Sequence, residues 1–476
     1  MAERGEHHPA TAALVAYALD RPSGGFPAAV RQAARDILLD TVGAMVGACA
    51  PHLTVAGPLV RYARLEGGAP HASVVGHDLQ LGPALAALVN GTLAYTLDIE
   101  SIHGPSITHA AAVVVPAALA VAETTGQSGA VLVEAIVVGL DAADRISRAI
   151  SPRAMYDRGL HPSSVAGTPA AALASARLLG LDASATRRAL GLAASQASGL
   201  MAWEHDPTEH ARPFNCGIAA RNGVTAALLA QAGFGGPEDA LECHGGLLGA
   251  FGDARTDATI LAEGLGSRFA VLETQVKAYA CCAFLQPGVN AVVELEEAHG
   301  FRPDDVADVA LHFPKGGAAI IDANPVRSHN AQYVLAVALQ DRDVTFDDLT
   351  ADRRTQEPEL AALSEKVRVV YSEPLDPEFP ARFTSRVVVG LKDGREVETL
   401  VTYPKGHPQN PLAATELRTK FARLTVPVVG DTTSQALRDA IDGIESARSL
   451  GPLAALLRTS PIDTSAAVVA AAGGRR

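Results

Sequence analysis

Aromatic residues are scarce in this chain: 4% of 476 residues, with a single tryptophan. Few rings are left for stacking nucleobases. The net charge of −13 also opposes a phosphate backbone, which requires clustered Lys and Arg. Nucleic acid is therefore not an expected partner. The apolar runs Val131–Leu140 and Ala466–Ala472 fall short of the roughly 20 residues that span a bilayer, so no membrane segment is expected. The five cysteines (Cys49, Cys216, Cys243, Cys281 and Cys282) are odd in number and irregular in spacing, with no signal peptide before them. Free thiols in a reduced, cytoplasmic protein are the expectation. No C-x-x-C pair, dinucleotide fingerprint, P-loop, H-E-x-x-H or G-x-S-x-G elbow occurs. Neither a metal nor an organic cofactor is expected.

What the chain does contain is small apolar residues. Hydrophobic residues make up 48% and charged ones 19%, the balance of a folded enzyme long enough for two domains. From Ala10 to Leu272, stretches rich in Ala, Leu and Val recur with helical spacing between Gly, Pro and polar breaks. They include Pro27–Gly47, Gly82–Leu97, Ala110–Glu123, Gly129–Ile150, Ser164–Leu179, Ser184–Gly199 and Gly217–Ala232. Beyond Val276 the pattern changes. Val306–Phe313 and Val367–Tyr371 alternate as strands do, and Phe383–Leu391 with Glu396–Tyr403 reads as a hairpin through Asp393-Gly394. Helices are predicted between these strands at Gln332–Leu339 and Phe346–Thr350. The expectation is a mainly α protein with a large all-helical domain formed by residues 1–272 and 404–459. Residues 273–403 form a smaller α/β lid, and residues 460–476 are an expected disordered tail.

The chemistry concentrates between two apolar helical runs, where Asp98, Glu100, His103 and His109 share one short turn broken by Gly104-Pro105. Charges at such a junction must be paired or hydrogen-bonded, and pockets are built there. His161 stands just before an apolar helix, beside free backbone N–H groups, with Ser163 or Ser164 as the expected N-cap. Arg212 precedes Pro213 at the lip of another helix and suits a carboxylate ligand. Lys277, in Lys277-Ala278-Tyr279-Ala280-Cys281-Cys282, falls where the helical region meets the α/β region.

These blocks, in this order, resemble the MmgE/PrpD superfamily, which includes 2-methylcitrate dehydratase, cis-aconitate decarboxylase and iminodisuccinate epimerase. The resemblance runs through Leu39-Asp40-Thr41-Val42-Gly43, Asn90-Gly91-Thr92 up to Asp98, Thr108-His109 and Gly159-Leu160-His161-Pro162. It continues through Arg212-Pro213-Phe214-Asn215-Cys216-Gly217, the Lys277 block, Gln332-Tyr333 and Lys405-Gly406-His407-Pro408. It implies a homodimer and cofactor-independent lyase or isomerase chemistry on a small carboxylate, with the pocket between the domains. Asp98, His103, His109, His161 and Lys277 are then the expected catalytic residues, and Arg212, Ser101, Asn215, Tyr279 and Gln286 the substrate-binding ones.

The chain departs from the family pattern at several of these positions. The family's Asp-Phe-Asp-Asp-Thr reads Asp98-Ile99-Glu100-Ser101-Ile102, and a frequent Lys is Arg212. Two frequent His positions hold Asn215 and Gln286. A member retuned to another substrate or step is the resulting expectation. The leading one is a hydro-lyase acting on a hydroxylated di- or tricarboxylate by proton abstraction beside a carboxylate. Epimerisation or decarboxylation through the same carbanion, and an inactive carboxylate-binding member, are the alternatives.

Overall fold

The computed structural model describes residues 9–21, 25–350, 352–379 and 382–462. Of the expected disordered tail, residues 463–476 lie outside the described residues. The protein is mainly α, with a small α/β part. The helical body is built on α1 (Ala28–Gly47), α2 (Pro83–Thr96), α3 (Ala111–Thr125), α4 (Gly129–Ile150), α5 (Pro162–Leu179) and α6 (Ala211–Gln231). The smaller body contains α7 (Gln286–His299), β1 (Val306–Pro314), α8 (Ala331–Asp341), β2 (Val367–Ser372), β3 (Ser385–Leu391) and β4 (Glu396–Val401). The chain then returns to the helical body as α9 (Ala414–Val429), whose Phe421 and Leu424 lie over Gly43 and Gly47 of α1.

The small residues set how closely the helices approach. α2 and α6 cross where Gly91 faces Gly217. A Cβ on Gly217 would lie 2.1 Å from Thr92 Oγ1 and 2.4 Å from the Leu88 carbonyl oxygen. Besides the Thr92 hydroxyl it would strike the Leu88 carbonyl and, at 2.9 Å, the Thr92 nitrogen, and that backbone does not swing aside. Gly217→Ala is expected to lower stability by about 1–3 kcal/mol, the usual range for overpacking, read as the midpoint of urea unfolding. An unchanged midpoint would show that the crossing has slack.

In the smaller body the strands run β2-β1-β3-β4, with β1 parallel to β2 and antiparallel to β3, and β3 antiparallel to β4. β3 buries every second residue (Ser385, Val387, Val389, Leu391), as its alternation predicts. Gly394 closes the hairpin to β4 with φ +90°, a value that favours glycine. α7 and α8 cover the sheet, and their apolar residues share one core with it.

Two predicted helix limits are corrected. The run expected to reach Gly199 ends at Ala194. Gly199, at φ +142°, instead turns its carbonyl to the N–H of His161. The run expected to begin at Gly217 begins at Ala211, because Asp206 accepts the Ala211 N–H at 2.8 Å and Pro213 is tolerated in a first turn. Among the described residues no helix is long and apolar enough to cross a membrane, and all five cysteines are free.

Candidate active site

α2 ends at Thr96, and Asp98 follows in a left-handed conformation, φ +52°. Such a conformation is rare for a residue with a Cβ and is held here by its surroundings. Ile107, on the same loop, has φ +47°. The loop is fastened to the segment carrying Lys277 by a short antiparallel pairing, Ile102 with Gln275 and His103 with Thr274. Gly406 presses on that segment from outside, since a Cβ there would lie 1.9 Å from the Val276 carbonyl oxygen. Lys277 is thereby delivered to Asp98. Its Nζ donates to Asp98 Oδ1 at 2.6 Å and to the Asp98 carbonyl at 2.7 Å, and stands 3.8 Å from Glu100 Oε1.

Arg212, in the first turn of α6, stacks over Tyr95 with its guanidinium carbon 4.6 Å from the ring centre. Its Nη1 lies 3.8 Å from Asp98 Oδ1, while its Nε and Nη1 have no hydrogen-bond partner among the described residues. A buried guanidinium with idle donors is suited to an incoming carboxylate. Asp98, Glu100 and His109 bring ligand atoms within 4.8 Å of one another. The cation this cluster holds is the Lys277 ammonium.

Three imidazoles line one cavity beside these charges. His109 Nδ1 lies 2.6 Å from Glu100 Oε1, a charge contact in distance but poorly aligned as a hydrogen bond. His161 Nδ1 meets Asn215 Nδ2 at 3.5 Å, the limit of such a bond. His329 Nδ1 is 2.9 Å from Ser328 Oγ and 3.7 Å from Asp98 Oδ2. Nothing among the described residues bonds the Nε2 of any of them. Tyr95 and Trp203 complete the polar wall, and Ile102, Ile107, Phe284 and Ile320 form an apolar one. The enclosed space is about 30 Å³, room for a single water. A substrate of a dozen heavy atoms needs more room than that. Larger grooves of about 540 and 560 Å³ lie elsewhere and lack Asp98 and the three imidazoles, so chemistry rather than size chooses the site.

The charges sort themselves. Burial opposes ionisation of Asp98, but Lys277 and Arg212 outweigh it and hold the carboxyl below its usual range. Glu100 is lowered likewise, with Lys277 the chief group that overcomes burial. Burial would depress Lys277, yet Asp98 and Glu100 raise it. Burial, then Lys277, pushes His109 below its ordinary value. Burial pushes His161 and His329 down to about 3. The empty site therefore holds two anions, two cations and three neutral imidazoles.

A stability test follows from His161. Between pH 3 and 6.5 the unfolded chain binds a proton at this residue and the folded chain does not, so its contribution makes stability rise with pH. His161→Gln is expected to flatten the stability–pH slope in that window by up to about 1.4 kcal/mol per pH unit. Denaturation series at pH 4, 5 and 6 measure it, and parallel slopes for wild type and variant would contradict the burial argument.

Asp98, His109 and His161 line the cavity, while Lys277 and Arg212 stand against Asp98 behind its wall and Asn215 lies against His161. Other expected site residues go elsewhere. His103 does not line the cavity: Nδ1 meets Ser106 Oγ at 2.8 Å and Asp144 Oδ1 at 3.3 Å, and Nε2 lies 3.3 Å from Glu273 Oε2. Both ring nitrogens are committed to holding the turn. Tyr279 lines the 540 Å³ groove instead. Gln286 donates to the Tyr279 carbonyl at 2.8 Å and braces that backbone. Ser101 is buried with a partnerless hydroxyl, yet does not line the cavity. Neither Ser163 nor Ser164 is the N-cap of α5. His161 holds that position, while Ser163 Oγ accepts the His109 N–H at 3.0 Å and Ser164 donates to the Asn215 carbonyl. Sequence reasoning passed over His329 and Trp203 as site residues, and left Glu100 in the cluster without a role. The only signal for Trp203 was its being the sole tryptophan.

A mainly helical fold with a small α/β part thus carries a buried set of carboxylates, cations and imidazoles around one cavity. The chain belongs to the MmgE/PrpD family: the N-terminal domain of that family matches residues 12–258 and its C-terminal domain residues 279–445. It is 29% identical to a cis-aconitate decarboxylase-like protein of Aspergillus oryzae, over 94% of this chain and 97% of that protein. It is 27% identical to a cis-aconitate decarboxylase of Aspergillus terreus, over 94% and 95% of the two chains. The corresponding Mus musculus enzyme is 25% identical over 89% and 88%.

Proposed function

We propose that the protein is a cofactor-independent lyase that decarboxylates a small tricarboxylate of the cis-aconitate type. The observation that supports this reading is a cavity lined by Asp98 and three neutral imidazoles, with Lys277, Arg212 and Glu100 buried behind Asp98 and an apolar wall beside them. The names of the relatives support loss of CO₂ over the loss of water expected from sequence.

The C–C bond to one carboxylate breaks, and its electron pair enters the neighbouring C=C as an allylic carbanion. Charge moves onto a remaining carboxylate as a dienolate, where Arg212 and Lys277 offset it. CO₂ departs toward the apolar wall, where a carboxylate is poorly solvated. The pair then forms a C–H bond with one proton. His109, backed by Glu100, delivers that proton once the substrate's charge has made it an imidazolium. Net, one CO₂ leaves and one proton is consumed.

Proton NMR in D₂O with cis-aconitate, 2-methylcitrate, citrate and malate-type acids tests the reading. The expected result is CO₂ loss from the unsaturated tricarboxylate with one deuteron in the product. Loss of water instead would make the protein a hydro-lyase. Exchange without net loss would make it an isomerase, and silence across the panel would leave a carboxylate-binding protein. Arg212→Lys is expected to raise KM about tenfold with little change in kcat, since a point charge replaces a planar fork. A large fall in kcat at unchanged KM would contradict that role. A homodimer belongs to the same proposal, and light scattering tests it.

A further inference from the structure

The cavity receives one imidazole from the smaller body, that of His329. His329 ends a short helical turn, Arg327–His329, that runs directly into α8. Its backbone neighbourhood is fixed, because the Cys282 N–H donates to the Ser328 carbonyl at 2.8 Å and the Asn330 side chain caps α8. Its ring is packed 5.3 Å from the Trp203 ring, centre to centre. Nδ1 faces Ser328 and Asp98, which leaves Nε2 for the cavity. Asp98 Oδ2, the oxygen on that side, has no hydrogen-bond partner among the described residues. Asp98 belongs to the helical body, so the contact between Asp98 and His329 crosses from one body to the other.

We propose that His329 is a further catalytic residue of this site: backed by Asp98, it takes up a proton as a polyanionic substrate binds and holds, through Nε2, the carboxylate onto which the dienolate charge moves. The proposal rests on the lyase reading above and deepens it.

The charge balance requires something of this kind. The groups facing His329 are Asp98 from the loop after α2, Arg212 from α6, Lys277 from the junction segment, His109 from just before α3 and His161 from just before α5. Their carboxylates and cations already cancel with Glu100 included, so three added carboxylates bring negative charge that no remaining fixed cation offsets. Neutral imidazoles with a free nitrogen in the cavity are the groups able to respond. Burial keeps His329 neutral while the site is empty. A carboxylate on Nε2 and Asp98 on Nδ1 place anions at both ends of the ring, the arrangement that favours imidazolium. Because the ring arrives with the smaller body, this electrophile is present only when the two bodies are docked.

The test is calorimetric binding of propane-1,2,3-tricarboxylate, which lacks the C=C needed to accept the electron pair. Titrations at pH 7 in two buffers of different ionisation heat give the protons taken up. Wild type, His329→Gln and His329→Asn are compared, with thermal unfolding as the check on folding; the Asn variant serves if the Gln variant does not fold. Expected is an uptake lower in the variants by about half a proton or more, together with a fall in turnover of about a hundredfold. Unchanged uptake or wild-type turnover in a folded variant would overturn the proposal. If wild type binds the tricarboxylate and takes up protons through His329 but releases no CO₂ from any acid, the lyase reading fails and the assignment of His329 as a ligand-responsive imidazole stands. No binding by wild type would overturn both.

Discussion

Lys277→Met is expected to cut turnover at least about a hundredfold and to destabilise the fold by about 3–5 kcal/mol. Both effects have one origin. The ammonium is fully buried and bonds Asp98 at 2.6 Å while facing Glu100 at 3.8 Å. Methionine fills similar space but leaves two buried carboxylates with Arg212 as their nearest fixed cation, 3.8 Å from Asp98. Their mutual repulsion must then be relieved by protonation or by water. In the proposed reaction the same ammonium counters charge moving onto a substrate carboxylate, which methionine cannot do. The double variant Lys277→Met/Asp98→Asn separates the two: stability should recover in large part, because the uncompensated charge is gone, while turnover should not. Urea denaturation with steady-state assay reads both. Full activity in the single variant would remove Lys277 from the mechanism, and unchanged stability would mean water already solvates the pair.

His109→Gln is expected to lower kcat at least about a hundredfold with little change in substrate affinity. Glutamine retains a hydrogen-bonding group near Glu100 and Tyr95, whose ring centre lies 4.6 Å from that of His109. What it loses is a transferable proton. If a carbanion still forms, CO₂ release and carbon protonation come apart, and quenched-flow analysis should find CO₂ ahead of diacid. A variant with wild-type kcat would pass the proton-donor role to His161. One whose defect lies wholly in KM would make His109 a binding residue.

Much of the fold was legible because its period is simple. Ala-rich runs with helical spacing marked α1 to α5, and alternation marked all four strands of the sheet. The helix limits that shifted did so for local reasons: Asp206 caps α6 early, and Gly199 turns away to meet His161. The site was legible where chemistry is dense in sequence, around Asp98 and His109, and where the family resemblance marked a position, as at His161, Arg212 and Lys277. It was illegible where contact is made only by folding. His103 shares the turn with Asp98, yet Asp144 and Glu273 claim its ring. His329 lies in the smaller body, in a stretch with no local pattern, and only the docking of the two bodies brings it to Asp98.

Lys420 of α9 reaches back across the helical body. Its buried ammonium bonds Asp40 of α1 and donates at 2.7 Å to the carbonyl of Ile99, which lies between Asp98 and Glu100 in the chain. The loop bearing Asp98 is thus pinned by a residue made more than 300 positions later. During synthesis α1 to α6 can collapse on their small residues as they leave the ribosome. The loop that does the chemistry acquires its last fastening only after residue 420 has emerged. A chain truncated ahead of that helix lacks this fastening, and on the proposed reaction it is expected to lose turnover.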